Sequence, residues 1–99
     1  MAPWIQQVIN LGVQRLWVLD FEFEVDVGRS VPRRVVCMVA TDVLSGEWIR
    51  LGPDRLGACP FRCDSSELFV AFYAIAEAFC FLELGWPLPP QWLDVWVEE

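Results

Sequence analysis

Two carboxylates on one predicted strand are the residues of this chain best suited to chemistry. Asp20 and Glu22 stand two positions apart within residues 15–26, where apolar and polar side chains alternate. Successive side chains of a strand point to opposite faces, so both carboxylates leave one face with Cβ atoms about 7 Å apart. Mg2+ prefers carboxylate oxygens, water and substrate phosphates, so the pair predicts a metal site of the phosphoryl-transfer type. We expect the later acids, Glu24 and Asp26, to lie on a solvated face.

Two further acids stand in apolar surroundings. Glu77 is the only charged residue in the apolar run 68–82, and Asp94 interrupts the apolar residues 92–97. A carboxylate buried without a partner costs several kcal/mol or becomes neutral, so each of these acids needs a partner or solvent. One interpretation is that four acids converge as metal ligands: Asp20, Glu22, Glu77 and Asp94. The alternatives are that Glu77 faces water along a thin polar edge and that Asp94 caps a turn or pairs with an arginine.

Four cysteines form the second group of residues that could carry chemistry: Cys37, Cys59, Cys63 and Cys80. They could form two disulfides or one four-thiolate metal site. Cys37 and Cys80 lie in apolar runs, which favours reduced, structural thiols. Only Cys59 and Cys63 share one loop, and two thiolates alone do not make a zinc site.

The charge of the chain is unevenly distributed. Its 99 residues carry a net charge of -7 and include no histidine. All seven arginines lie before residue 63, whereas residues 63–99 contain seven acids and no base. This excludes phosphate binding through a basic patch in the last third of the chain. The lack of histidine excludes Ser-His and Cys-His nucleophile pairs.

Length and hydropathy limit the architecture and the compartment. A chain of 99 residues with 56 % hydrophobic content is expected to form one domain, residues 1–99. The longest apolar run, residues 68–82, is shorter than the roughly 20 residues of a membrane span, so no membrane association is expected. The N-terminus lacks the charged and apolar regions of a secretory signal, which predicts a cytoplasmic protein.

The residues that could carry chemistry are predicted to lie in an α/β domain, on or next to its sheet. Strands are expected at 15–26, 33–42 and 47–51, joined by short turns into an antiparallel meander. A helix is predicted over 65–84, with Asp64 and Glu67 as a capping box and Gly85 at its end. A last strand at 92–97 would return parallel to a sheet member through a right-handed crossover. The expected order is β-β-β-α-β, with three antiparallel strands and one parallel addition.

Several segments resemble one protein family. Residues 17–23, 69–77 and 85–89, with 93–95, look like the N-terminal half of a DnaQ-like 3′-to-5′ exonuclease domain of phage family A DNA polymerases, which has a ribonuclease-H-like fold. The similarity covers residues 15–97. It implies that the carboxylates of Asp20 and Glu22 hold two catalytic metals, Mg2+ or Mn2+. Glu77 stands where the family usually has aspartate, Tyr73 replaces the usual asparagine, and Asp94 matches an aspartate that supports the site.

The chain departs from the family pattern at its end. The family's third motif, a Tyr or His followed by a fourth metal-binding Asp, lies on a later helix for which this chain has no residues. We therefore expect a truncated exonuclease-like module that is weak or inactive alone and contacts single-stranded DNA only when it binds metal.

Two other functions remain open at the level of sequence. The acidic residues 63–99 would suit an inhibitor that mimics nucleic acid, of anti-CRISPR type, and occupies the basic channel of a host defence nuclease. Alternatively, the apolar helix 65–84 would bind a protein partner or a second copy of the chain.

Overall fold

The described part of the chain forms one sheet of five strands and two helices. These elements come from a computed structural model, which describes residues 2–28 and 31–95. The helices are α1 (Pro3–Asn10) and α2 (Ala74–Glu83). The strands are β1 (Arg15–Val25), β2 (Pro32–Asp42), β3 (Trp48–Leu51), β4 (Glu67–Ala71) and β5 (Trp92–Asp94). Their order across the sheet is β3-β2-β1-β4-β5, so β1 lies at the centre.

The antiparallel meander predicted from the sequence is confirmed. β1 pairs with β2 from Trp17 opposite Asp42 to Val25 opposite Pro32, and β2 pairs antiparallel with β3. Alternation along β1 buries Trp17, Leu19 and Phe21 on one face. Asp20 and Glu22 consequently face solvent, as the two-residue period of a strand requires.

The helix predicted over residues 65–84 is wrong in its first half. Residues 67–71 form β4, which pairs parallel with β1 from Arg15 opposite Glu67 to Val18 opposite Val70. The helix begins only at Ala74. A short apolar run fits a buried strand as well as a helix, and here it occupies the open edge of the central strand. The helix to which the sequence assigned partner binding is therefore only Ala74–Glu83, and the binding itself stays a prediction.

The predicted capping box is also wrong. Asp64 accepts a hydrogen bond from the Ser66 amide at 2.9 Å in a turn that leads into β4. Glu67 is 2 % exposed and accepts a hydrogen bond from the Trp17 indole at 2.8 Å. It thus holds β4 against β1 instead of starting a helix.

The last strand runs parallel, as predicted, but the sheet has two parallel additions instead of one. β5 pairs parallel with β4, with Phe69 opposite Trp92 and Ala71 opposite Asp94. The structure shows strand geometry for residues 92–94 of the predicted 92–97; residues 96–99, with Glu98 and Glu99, lie outside the described part.

A loop residue lies at the centre of the aromatic core. The ring of Phe61 lies 5.0 Å from that of Phe69, 5.1 Å from that of Trp17 and 5.9 Å from that of Phe81, measured between centroids. Residues 52–63, predicted as loop, are irregular apart from a short 3-10 turn at Pro53–Arg55. The loop therefore contributes to the same core as the sheet and α2.

Helix α1 was not expected from the sequence. Pro3 stands in its first turn, a position that suits its fixed φ angle. Trp4 and Val8 line a wholly apolar groove of about 320 Å³ together with Leu16, Val18 and other side chains of the sheet. In the described part of the chain, neither helix is long and apolar enough to cross a membrane.

Candidate functional site

The site is built around one contact between β1 and α2. Glu77 lies in the first turn of α2, is 4 % exposed, and accepts a hydrogen bond from the Phe21 amide at 3.1 Å. Phe21 is the residue between Asp20 and Glu22. The contact therefore brings the acid of the helix to the strand position that carries the other two carboxylates.

The short length of β4 explains why a side chain, and not the backbone of a neighbouring strand, accepts the hydrogen bond from the Phe21 amide. β4 pairs with β1 only as far as Val18. The amide of Phe21 lies beyond that point, and a buried backbone donor needs an acceptor. Glu77 provides this acceptor because the chain leaves β4 at Ala71 and begins α2 three residues later.

The three carboxylates interact electrostatically. The pKa of Glu77 is raised from 4.5 to about 8, first by burial, next by the charge of Asp20 and also by that of Glu22, against the hydrogen bond from Phe21. Burial and like charges both disfavour the ionised form of a carboxyl group. At neutral pH, Glu77 is therefore mostly protonated, and the two exposed acids carry the negative charge of the cluster. We call Asp20, Glu22 and Glu77 the carboxylate cluster.

The carboxylate cluster has suitable donors for a hard cation but no preformed coordination shell. Carboxylate oxygens are the preferred protein ligands of Mg2+ and suit Mn2+ equally. Across residues 2–28 and 31–95, no three Asp, Glu, Cys or His side chains are arranged to hold a metal ion. A cation at this site would have to displace the proton of Glu77 and draw the carboxylates closer together.

Asp94 is engaged elsewhere in the described structure. Its carboxylate accepts a hydrogen bond from the amide of Tyr73 at 3.0 Å, at the turn between β4 and α2. This contact fits the alternative interpretation of Asp94 as a turn-capping residue. Its predicted role as a metal ligand or as a support for the metal site stays a prediction.

Tyr73 has a backbone conformation that the sequence did not indicate. Its φ of 66° lies in the left-handed region, at the N-cap of α2. Non-glycine residues other than Asn and Asp rarely adopt this conformation, and such residues often occur at functional sites. The adjacent Phe72 and Tyr73 side chains are 61 % and 46 % exposed.

Glu24, on β1, and Asp26, directly after the strand, form a separate surface. Glu24 lies 2.8 Å from Arg33 and 3.2 Å from Arg34, and Asp26 lies 3.0 Å from Arg33. All four side chains are exposed, so this end of the strand is a solvated, charge-paired face as predicted. Variants of Glu24 and Asp26 can therefore serve as controls for variants of the carboxylate cluster.

A third buried acid, besides Glu67 and Glu77, was not identified from the sequence. Asp42 is fully buried and accepts hydrogen bonds from the Leu16 amide at 2.9 Å and from Arg15 at 3.0 Å. Ser45 and the Leu44 amide donate to it as well. Burial raises its pKa, but these hydrogen bonds outweigh burial and lower the pKa below 3.8. Asp42 is an anchor for the β1–β2 pair and the following turn.

Burial reduces the number of acids that residues 63–99 expose to solvent. Glu67 and Glu77, two of the seven acids in residues 63–99, are buried. They are not available to a basic partner, so the described surface is less acidic than the sequence suggests. The inhibitor function predicted from charge stays a prediction.

Comparison with protein-family models, with curated proteins and with solved structures finds no match to this chain.

Proposed function

We propose that this chain is a 3′-to-5′ exonuclease-like module of ribonuclease-H-like fold, whose carboxylate cluster binds Mg2+ or Mn2+. The observation that carries the proposal is the contact of Glu77 with the Phe21 amide, between Asp20 and Glu22. Three acids from two elements interact in one place, at a cost to stability that a cation would offset. The resemblance of residues 15–97 to these exonucleases assigns metal binding to the same three residues.

The arrangement of the sheet supports the proposal. The antiparallel meander is followed by strands parallel to β1 and by a helix that crosses between them. Asp20 and Glu22 are exposed on the central strand, where substrate phosphates have access to them. The resemblance implies an Asp-x-Glu pair on the first strand, and the position of Asp20 and Glu22 on β1 supports the proposal.

Each residue of the cluster has a distinct part in this proposal. Asp20 and Glu22 supply charged oxygens at the surface. Glu77 holds a proton in the absence of a cation and would release it on binding, because a positive charge nearby favours the ionised form. A bound Mg2+ or Mn2+ would lower the pKa of a coordinated water and stabilise negative charge on the phosphodiester.

We propose that a polypeptide of this sequence has little or no exonuclease activity alone. The fourth metal-binding acid of the family pattern has no counterpart among the 99 residues. Two-metal hydrolysis requires both cations to be held while the attacking and leaving oxygens are stabilised. A binding site with three acids falls short of that requirement.

A nuclease assay tests the proposal directly. Single-stranded DNA labelled at its 5′ end is incubated with Mn2+ and a high concentration of the protein, and shortened products are resolved on a gel. We expect slow stepwise shortening from the 3′ end or none. Any shortening should be lost in Asp20→Asn and retained in Glu83→Gln, a matched change of an exposed acid on the same helix as Glu77. Cleavage that survives Asp20→Asn, or that proceeds from the 5′ end, would overturn the assignment.

A further inference from the structure

Two thiols at the end of the loop 52–63, which packs into the core through Phe61, lie in contact. The Sγ atoms of Cys59 and Cys63 are 3.7 Å apart, and both side chains are half-buried. Both cysteines are free in the structure, and Cys59 also lies 3.6 Å from the carbonyl oxygen of Phe61. The sequence placed these two cysteines in one loop; the fold places their sulfur atoms side by side.

The surrounding structure fixes the pair from both ends. The amide of Cys63 donates a hydrogen bond of 2.7 Å to Glu67, which the Trp17 indole holds in turn at 2.8 Å. Cys63 has a φ of 58°, a left-handed conformation that is uncommon for this residue type. Phe61, between the two cysteines, is 8 % exposed and packs in the aromatic core. The two sulfur atoms are thus positioned by the fold.

We propose that Cys59 and Cys63 are a site of oxidative modification, at which a small-molecule disulfide such as oxidised glutathione converts the two thiols into an intramolecular disulfide. A disulfide needs an S–S distance of about 2.05 Å, so the sulfur atoms have to approach by less than about 2 Å. We expect rotation about the Cα–Cβ bonds to supply this approach.

The reaction proceeds by two thiol–disulfide exchanges. The thiolate of one cysteine attacks one sulfur of the small-molecule disulfide, breaks its S–S bond and expels one thiolate. The thiolate of the other cysteine then attacks the protein sulfur of the mixed disulfide and expels the second thiolate. Two protein thiols are oxidised, the small molecule is reduced to two thiols, and these take up the two protons that the cysteines lose.

The environments of the cysteines predict the pH dependence and selectivity of the reaction. Burial, then the nearby Cys59 and the acids Glu67 and Asp64, raise the pKa of Cys63 to about 12, so exchange at this thiol should speed up as the pH rises. Cys80 is fully buried and its pKa is raised to about 12, chiefly by burial. Cys80 should therefore remain reduced and serve as an internal control. The reaction does not depend on the proposed nuclease function.

Peptide mapping tests this site because Arg62 lies between the two cysteines. The native protein is treated with oxidised glutathione, unfolded in the presence of N-ethylmaleimide and digested with trypsin without reduction. Cleavage after Arg55 and Arg62 should leave peptides 56–62 and 63–99 joined by a Cys59–Cys63 bond, and a reductant should separate them. Because peptide 63–99 contains both Cys63 and Cys80, fragmentation by mass spectrometry should place the alkyl group on Cys80. In Cys63→Ser, glutathione should instead remain attached to Cys59, whereas Cys37→Ser should form the bond as the unaltered protein does.

Three outcomes would overturn the proposed site. They are alkylation of both Cys59 and Cys63 after treatment, glutathione retained on Cys59 of the unaltered protein, and a bond from either cysteine to Cys37 or Cys80. Because the mapping is done on the unaltered chain, the result stands even if a variant fails to fold.

Discussion

The backbone amide of Phe21 donates a hydrogen bond of 3.1 Å to the carboxylate of Glu77. This bond satisfies a strand amide beyond the end of β4 and places a third acid next to Asp20 and Glu22. Burying Glu77 beside these acids costs less when Glu77 is protonated, so its pKa is raised to about 8 even though the hydrogen bond from Phe21 favours the ionised form. The same contact therefore links the fold, the stability and the proposed cation site.

Glu77→Gln should remove a pH dependence of stability. The folded state binds the Glu77 proton more tightly than the unfolded state, since its pKa is raised from 4.5 to about 8. The stabilisation by this group is complete below pH 4.5 and is lost as the pH rises through about 8, by a few kcal/mol in total. Glutamine still accepts the hydrogen bond from Phe21 but does not ionise. Urea denaturation across this pH range should give a flatter profile for Glu77→Gln than for Glu83→Gln, and equal slopes would contradict the assignment.

Tyr73→Asn should raise the free energy of unfolding by up to about 1 kcal/mol. A left-handed conformation costs roughly 1–2 kcal/mol for an ordinary residue and less for asparagine. Tyr73 has a φ of 66°, whereas its neighbour Phe72 is not among the residues with positive φ. Phe72→Asn is therefore the control and should give no such gain. Chemical denaturation of both variants decides the matter; equal effects at the two positions would show that backbone strain at Tyr73 does not limit stability.

Asp42→Asn should destabilise the protein by about 1–3 kcal/mol, the cost of leaving a buried hydrogen-bond donor without an acceptor. Asparagine presents an amide donor where Asp42 accepts hydrogen bonds from the Leu16 amide and Arg15. Asp26→Asn is the matched control, because its 3.0 Å pair with Arg33 is exposed and should be worth less than about 1 kcal/mol. Thermal unfolding of both variants measures the difference. A similar loss at the two sites would mean that Asp42 is no special anchor.

Phe61→Ala should cost about 3–5 kcal/mol, as expected for a large aromatic side chain removed from a core. Phe61 is 8 % exposed and contacts four other aromatic rings, whereas Phe72 is 61 % exposed. Phe72→Ala should therefore cost much less. If denaturation curves showed equal losses, the loop would not be part of the core.

The meander could be predicted because local pattern and tertiary structure agree there. Alternation over residues 15–26 indicates a strand with one buried face, and short turns leave few choices of topology. β4 could not be predicted in the same way. Residues 67–71 are too short and apolar to distinguish strand from helix, and their structure depends on the open edge of β1, which is remote in sequence. Helix α1 lacks a polar N-cap side chain, the usual signal of a helix start.

The acids of the candidate site were identifiable from their types and surroundings. Glu77 stood out as a lone charge in an apolar run, and the fold places it beside the β1 acids. Its protonation and the turn-capping contact of Asp94 could not be predicted, because both depend on distances set by the packing of α2 and β5 on the sheet. Sequence likewise gave no sign that Glu67 would be buried against Trp17.

Calorimetric titration with Mn2+ at a pH below 8 tests the central claim most directly, because Glu77 then starts largely protonated. We expect binding accompanied by proton release, measured as a dependence of the heat on the ionisation enthalpy of the buffer. Asp20→Asn should weaken binding at least about tenfold through the loss of one carboxylate ligand. Glu77→Gln should abolish the proton release, and Glu83→Gln should change neither. No binding, or equal affinity in Asp20→Asn and Glu83→Gln, would contradict a cation site at the carboxylate cluster.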